Sequence, residues 1–281
     1  MSATIQGKIK EVTATSNPII KDIKALALKK NRDREGLFLA EGLKLATDAM
    51  EAGWRLRTLI HGKKALEDNN LRDKVQALAI QARALGGDVL IVSDKILTSI
   101  TRRDNAQMVV SVLEQRFTTP TDIKPVANDC WLALDRVRDP GNLGTIIRTA
   151  DCLGAKGVIL VGETTDPFAL EAVRATMGSL FHVPLVRMSE EAFVGFAEKW
   201  REDFKGHVTG THLKGAIDHR SIDYTNSPQL LLMGNEQQGL TDDLASACDR
   251  LALISMAGQA DSLNLAVATG IMLFEARRHA L

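Results

Sequence analysis

Cysteine is scarce and scattered in this 281-residue chain: Cys130, Cys152 and Cys248 lie far apart and form no CxxC pair. That excludes a disulfide framework and a zinc-ligand spacing, and leaves three small residues packed in a reducing compartment. No uninterrupted apolar run approaches the roughly 20 residues of a membrane span, and the opening MSATIQGKIKEV lacks the apolar centre of a secretory signal. A cytoplasmic protein is therefore expected. The common nucleotide fingerprints are missing too, since no GxGxxG follows the first strand of either half and no GxxxxGK(S/T) occurs. This argues against a nicotinamide-dependent oxidoreductase and against a P-loop enzyme. HExxH and GxSxG are absent, which removes the commonest metalloprotease and hydrolase readings, and there is no internal repeat or low-complexity segment.

What is present is ordinary in bulk and uneven in detail. With 45% apolar and 25% charged residues, the chain has a globular composition and enough length for two domains. A net charge of zero hides an asymmetry: residues 1–121 hold 20 Lys and Arg against 14 Asp and Glu, and residues 122–281 hold 15 against 21. The positive residues crowd early, at Lys8, Lys10, Lys21, Lys24, Lys29, Lys30, Arg32 and Arg34. Such a face suits a polyanion, although a charge run alone is equally a solvated surface.

Periodicity predicts a helix over 17–30, started by Asn17 and Pro18, followed by the charged turn NRDREG. A short apolar run at 37–40, a helix over 42–53, a strand over 56–61, a helix over 70–85 and strands over 89–92 and 107–113 follow. The stretch 117–128, FTTPTDIKPVAN, reads as a linker. It divides the chain into domains 1–116 and 129–281. Beyond it, apolar runs alternate with helical patterns to the end, which predicts an α/β fold with a mostly parallel sheet and helices on both faces.

Three polar clusters punctuate the second half: DPGNLGTIIRTAD at 139–151, GNEQQGL at 234–240 and ISMAGQADSLNLAVA at 254–268. Each follows an apolar run and leads into a helix, the place where open parallel sheets bind ligands. In the first, Asn142 is positioned to cap a helix that carries Arg148, whose guanidinium can fork onto phosphate oxygens or pair with Asp139 or Asp151. In the second, Glu236 stands among the exposed amides of a turn bounded by Gly234 and Gly239. In the third, Asp261 or Ser262 is a candidate cap, which leaves Asn264 inside the first turn without a structural reason.

Taken in order, DRVRDPGNLGTIIRTAD, LLLMGNEQQGL and ISMAGQADSLNLAVA resemble the three motifs of the SpoU (TrmH-like) family of RNA ribose 2′-O-methyltransferases, in the SPOUT superfamily. The resemblance covers most of the chain. SNPIIKDIKALALKKNRDREGLFLAEGLKL is similar to the family's small L30e-like RNA-binding domain, a match carried by Asn17, Pro18, Arg34, Glu41 and Gly42.

The resemblance implies a C-terminal domain closed by a trefoil knot, an exception to the rule against knots. It implies S-adenosylmethionine held largely by backbone near Gly234, Ile254, Met256 and Leu263, with Thr211 as a further candidate. Arg148 would be the chemical centre, with Asn142, Glu236, Ser262 and Asn264 positioning it, the substrate and the loops. Lys21, Lys29, Lys30, Arg32 and Arg34 would meet RNA phosphates, and the protein would be a homodimer joined through the C-terminal domain. The implied substrate is ribosomal RNA. Transfer RNA, or a non-catalytic role in RNA binding or ribosome assembly, stays open. The chain departs from the family pattern at Ser255, where proline is usual, and at Ala266, where a small polar residue is common.

Overall fold

The computed structural model describes residues 6–103, 105–212 and 217–281, so the first five residues of the opening MSATIQGKIKEV lie outside the described residues. Contacts divide the chain into two compact units, Met1–Gln115 with Phe168–Phe181 and Arg116–Pro167 with His182–Leu281. Among the described residues no helix is long and apolar enough to cross a membrane.

The first unit runs β1 (Ile9–Val12), α1 (Pro18–Ala25), α2 (Lys29–Glu35), β2 (Leu37–Glu41), α3 (Leu43–Glu51), β3 (Leu56–Gly62), α4 (Lys64–Glu67), α5 (Arg72–Ala84), β4 (Asp88–Val92), α6 (Asp94–Thr101) and β5 (Val109–Glu114). Its sheet has the order β1-β4-β3-β5-β2, parallel across β1, β4 and β3 and antiparallel at β5. Asn17 starts α1 by accepting the Ile19 amide at 2.9 Å, with Pro18 in the first turn, and Ile20 and Ile23 face inward.

The single helix expected over 17–30 is two helices, because Leu28 is extended and the backbone restarts at Lys29. The run read as a charged turn is therefore mostly α2. It has no apolar stripe to reveal it, and it is closed at Gly36, which sits at φ +64 where a side chain would be strained. Arg32 ties the two helices together, donating from Nη1 to the carbonyls of Leu26 at 2.8 Å and Ala27 at 3.0 Å. It is only 4% exposed, so its assignment to RNA phosphates is corrected: the guanidinium serves helix-end carbonyls.

The second unit carries β6 (Cys130–Asp135), α7 (Pro140–Cys152) and β7 (Val158–Val161). Next in sequence comes α8 (Leu170–Thr176), whose residues are grouped with the first unit. Then follow β8 (Leu185–Met188), α9 (Glu190–Glu202), β9 (His207–Thr211), β10 (Ile217–Asp218), β11 (Gln229–Met233), α10 (Asp242–Ser246), β12 (Arg250–Leu253) and α11 (Leu265–Arg277). The sheet order is β10-β12-β9-β11-β6-β7-β8, and every pairing is parallel.

Buried on both faces, the central strands are unbroken apolar runs, as parallel strands must be. Trp131, Ala133, Leu230 and Leu232 form one face of the core with Phe193, Trp200 and Leu244 from α9 and α10. On the other, α11 lies against α7, β6 and β11. Because the strands are parallel, the segments that leave β6, β9, β11 and β12 emerge at one edge of the sheet.

Candidate functional site

At that edge a cleft of about 400 Å³ is lined by Thr211, Gly234, Ile254, Met256 and Leu263, together with Glu236 and Ser262. The cofactor residues inferred from the sequence thus meet in one place. The wall after β11 is a tight turn: Asn235 and Gly239 exchange backbone hydrogen bonds, and Asn235 Oδ1 accepts the amides of Gln237 and Gln238. A Cβ on Gly234 would stand 2.8 Å from the Gly239 carbonyl carbon, so backbone fills the space a side chain would need. Leu253, Leu265 and Ala268 add apolar lining that the motif reading did not single out.

A chain of side-chain hydrogen bonds joins the three clusters. Asn264 Nδ2 donates to Asn142 Oδ1 at 2.9 Å, and Asn142 Nδ2 donates, at a long 3.4 Å, to Glu236 Oε1. Glu236 Oε2 is buried and has no hydrogen-bond partner among the described residues. An uncompensated buried carboxylate oxygen is costly, and here it sits on a residue that lines the cleft.

The helix caps differ from the sequence expectation. Asp139, extended at φ −85 and ψ 122, caps α7 by accepting the Asn142 amide at 2.6 Å. Asn142 is therefore inside the first turn, with its own side chain left for the network. Asn264, and neither Asp261 nor Ser262, caps α11, its Oδ1 accepting the amides of Ala266 and Val267 at 2.9 and 3.3 Å.

Arg148 is exposed on α7 and is not among the residues that line the cleft. Among the described residues its side chain has neither the alternative pairing to Asp139 or Asp151 nor any other hydrogen bond or ion pair. Within one chain, then, the structure joins Asn142, Glu236 and Asn264 and leaves Arg148 free on an outer helix face.

Sequence reasoning missed Arg136. Asp135, fully buried, takes a bidentate pair from Arg136 Nε and Nη2 at 2.8 Å each, and Arg136 Nη1 donates to Gln238 Oε1 at 3.0 Å. The Arg136 carbonyl accepts Asn235 Nδ2 at 2.9 Å, so this residue pins the turn that carries Glu236. The available signal was an Asp-Arg pair directly after an apolar strand, a point where a buried carboxylate needs a partner. In the first unit Lys21, Lys29, Lys30 and Arg34 are exposed, with Lys29 paired to Asp33 and Arg34 to Glu35.

Comparison with known proteins places this geometry. A model described as the SpoU rRNA Methylase family matches residues 129–274, and one described as the MRM3-like substrate binding domain matches residues 17–111. The chain is 34% identical over 259 residues to a 23S rRNA (uridine(2479)-2'-O)-methyltransferase from Streptomyces viridochromogenes, spanning 90% of this chain and 86% of that one. It is 29% identical over 272 residues to a 23S rRNA (guanosine(2553)-2'-O)-methyltransferase from Bacillus subtilis, spanning 96% and 100%. A solved structure of an AdoMet-bound rRNA methyltransferase from Sinorhizobium meliloti superimposes with TM-score 0.88 at 55% identity, covering 97% of this chain and 99% of that one. With its motif clusters gathered at one sheet edge and the family match spanning the unit that carries them, the chain belongs to the SpoU rRNA methylase family.

Proposed function

We propose that the protein transfers the methyl group of S-adenosylmethionine to a ribose 2′-hydroxyl of ribosomal RNA. The observation that carries this reading is the backbone-walled cleft flanked by the Glu236–Asn142–Asn264 chain. The residues present suit the cofactor. S-adenosylmethionine has no phosphate, which agrees with a site built without a GxGxxG loop. Leu253, Ile254, Leu263 and Leu265 offer apolar walls, the Gly234–Gly239 turn offers backbone, and the unpartnered Glu236 oxygen can accept from an amine or hydroxyl. Its volume falls within the usual range for small-molecule sites.

Bound there, S-adenosylmethionine supplies a methyl group already activated on a sulfonium. The protein's work is then alignment and easing the loss of the hydroxyl proton. Arg148 is the group for the second task. A guanidinium, with a pKa above about 12, is a poor base, but an unpartnered one can fork onto a substrate phosphate and stabilise a developing alkoxide. Asn142 and Asn264 hold Glu236 and the loop before α11 in register, with Ser262 on the rim. Lys21, Lys29, Lys30 and Arg34 supply phosphate contacts on the RNA-binding unit.

The protein acts as a cytoplasmic homodimer. Arg148 stands outside its own chain's cleft, and α11 exposes Val267 and Phe274, seven residues apart, at 52% and 56%. Both features fit a second copy against the α7–α11 face, completing the site. The trefoil knot belongs to the same reading, supported by β11 lying between β9 and β6 and by α11 returning from edge-side β12 to lie against α7.

Calorimetric titration of the full chain with S-adenosylmethionine tests the core of the proposal: saturable binding is expected, and its absence favours a non-catalytic RNA-binding protein. Mapping ribose methylation across stable RNAs in cells with and without the gene tests the substrate. A site lost from ribosomal RNA supports it, and one lost from transfer RNA overturns it.

A further inference from the structure

The cleft wall after β12 is the least supported of its walls. Ile254 and Met256 line the cleft with Ser255 between them, and residues 255–263 are exposed. Among the described residues, one side-chain hydrogen bond ties the stretch 254–263 to the rest of the unit. Ser255 Oγ donates to Asp218 Oδ2 at 2.8 Å. The acceptor is itself firmly held. Asp218 Oδ1 accepts the Arg220 amide and Nε, both at 2.9 Å, and Oδ2 accepts Arg220 Nη2 at 2.8 Å.

These bonds from Arg220, then the one from Ser255, keep the Asp218 carboxyl well below the usual carboxylate range, so it remains an anionic acceptor. Its backbone is anchored as well. Asp218 pairs with Leu253 across the β10–β12 ladder. The buried His219 places Nδ1 3.3 Å from the Leu253 carbonyl, and the Tyr224 hydroxyl donates to the His219 carbonyl at 3.2 Å.

We propose that Asp218 is a positioning residue for methyl-donor binding, acting through Ser255 to hold the backbone of Ile254 and Met256 in the shape that forms the cleft. The resemblance of the third motif to its family pattern implies proline at the position of Ser255. Proline restrains φ covalently. Here a hydroxyl clamped to a fixed carboxylate supplies a comparable restraint, with Asp218 as its anchor. A loop ordered before binding does not lose conformational entropy on binding, so the pair acts on affinity for the donor and leaves the transfer step alone. This inference rests on the reading of the cleft as the S-adenosylmethionine site.

The test is calorimetric titration of S-adenosylmethionine into the full-length wild type, Ser255→Ala, Asp218→Ala, the double alanine variant, and Asp218→Ala combined with Ser255→Pro, with melting temperatures recorded in parallel. Loss of one charge-assisted hydrogen bond predicts a Kd raised by about fivefold or more in Ser255→Ala. The double alanine variant should be no weaker than Asp218→Ala alone, because the two residues act as one unit. Proline at 255 should return the Asp218→Ala protein to within about twofold of wild type, whereas a general loss of stability would lower the melting temperature and would not be rescued.

A wild type that fails to bind overturns the cofactor reading itself. Binding by wild type with unchanged Kd in Ser255→Ala, additive losses in the double variant, or no rescue by proline overturns the role of Asp218 and leaves the cofactor reading standing.

Discussion

Arg148 and Asn142 share one helix and have opposite surroundings. Asn142 is committed on both sides of its amide, accepting from Asn264 and donating to Glu236, while Arg148 is exposed and uncommitted among the described residues. That contrast predicts different duties for the two residues. Replacing Arg148 with Ala should leave the Kd for S-adenosylmethionine within about twofold of wild type while methyl transfer falls by roughly 10² or more. Parallel titration and single-turnover methylation measure the two, and equal losses in both would refute the division.

At this scale the sequence disclosed residue types better than roles. Asn142 and Asn264 were both identifiable, yet the cap of α7 is Asp139 and the cap of α11 is Asn264 itself. The residue that caps is the one whose backbone is extended where the helix begins, and several Asp, Asn and Ser residues in a row leave that choice to the fold. Arg136 stayed hidden for a related reason: its importance lies in reaching Asp135 and Gln238 at once, and Gln238 is 102 positions away.

Although α6 went unread despite its inward Ile96, Leu97 and Ile100, the helices α1, α5, α9 and α11 and the long strands of the second unit were legible as apolar stripes or runs. Helix α2 was not, since KKNRDRE has no inward stripe and depends on Gly36 and on the buried Arg32. The grouping of α8 with the first unit was also invisible, because it rests on contacts remote in sequence. Arg174 donates from Nε to Glu41 Oε2 at 2.8 Å and from Nη2 to Oε1, across 133 residues, and Phe168 meets Phe38 with ring centroids 4.7 Å apart.

The Glu41 side chain is 2% exposed, so removing its partner strands a buried charge. Arg174→Ala should lower the unfolding free energy of this unit by about 3 kcal/mol, and the double replacement Glu41→Leu with Arg174→Met should lose less. Urea unfolding followed by tryptophan fluorescence measures both. A single variant as stable as wild type would show that the pair contributes nothing.

For the whole molecule, alternation of apolar runs with helical patterns disclosed a parallel α/β sheet but not its order, because strand neighbours are set by long crossovers rather than by local pattern. The exposed Val267 and Phe274 carry the prediction on assembly: the wild type should sediment as a dimer, and Phe274→Glu should shift it toward monomer. A monomeric wild type at micromolar concentration would reject the two-copy site.

The position of β11 also governs when the protein can become active after synthesis. β6 is translated early in its unit, but its partner across Gln229 to Met233 leaves the ribosome roughly a hundred residues later, and the loop and cap that finish the cleft come later still. The nascent chain must therefore carry an incomplete sheet with an apolar edge at β6 over that interval. The cleft can close only after the loop behind β12 and the Asn264 cap of α11 have been made, so the donor site is among the last parts of this unit to form.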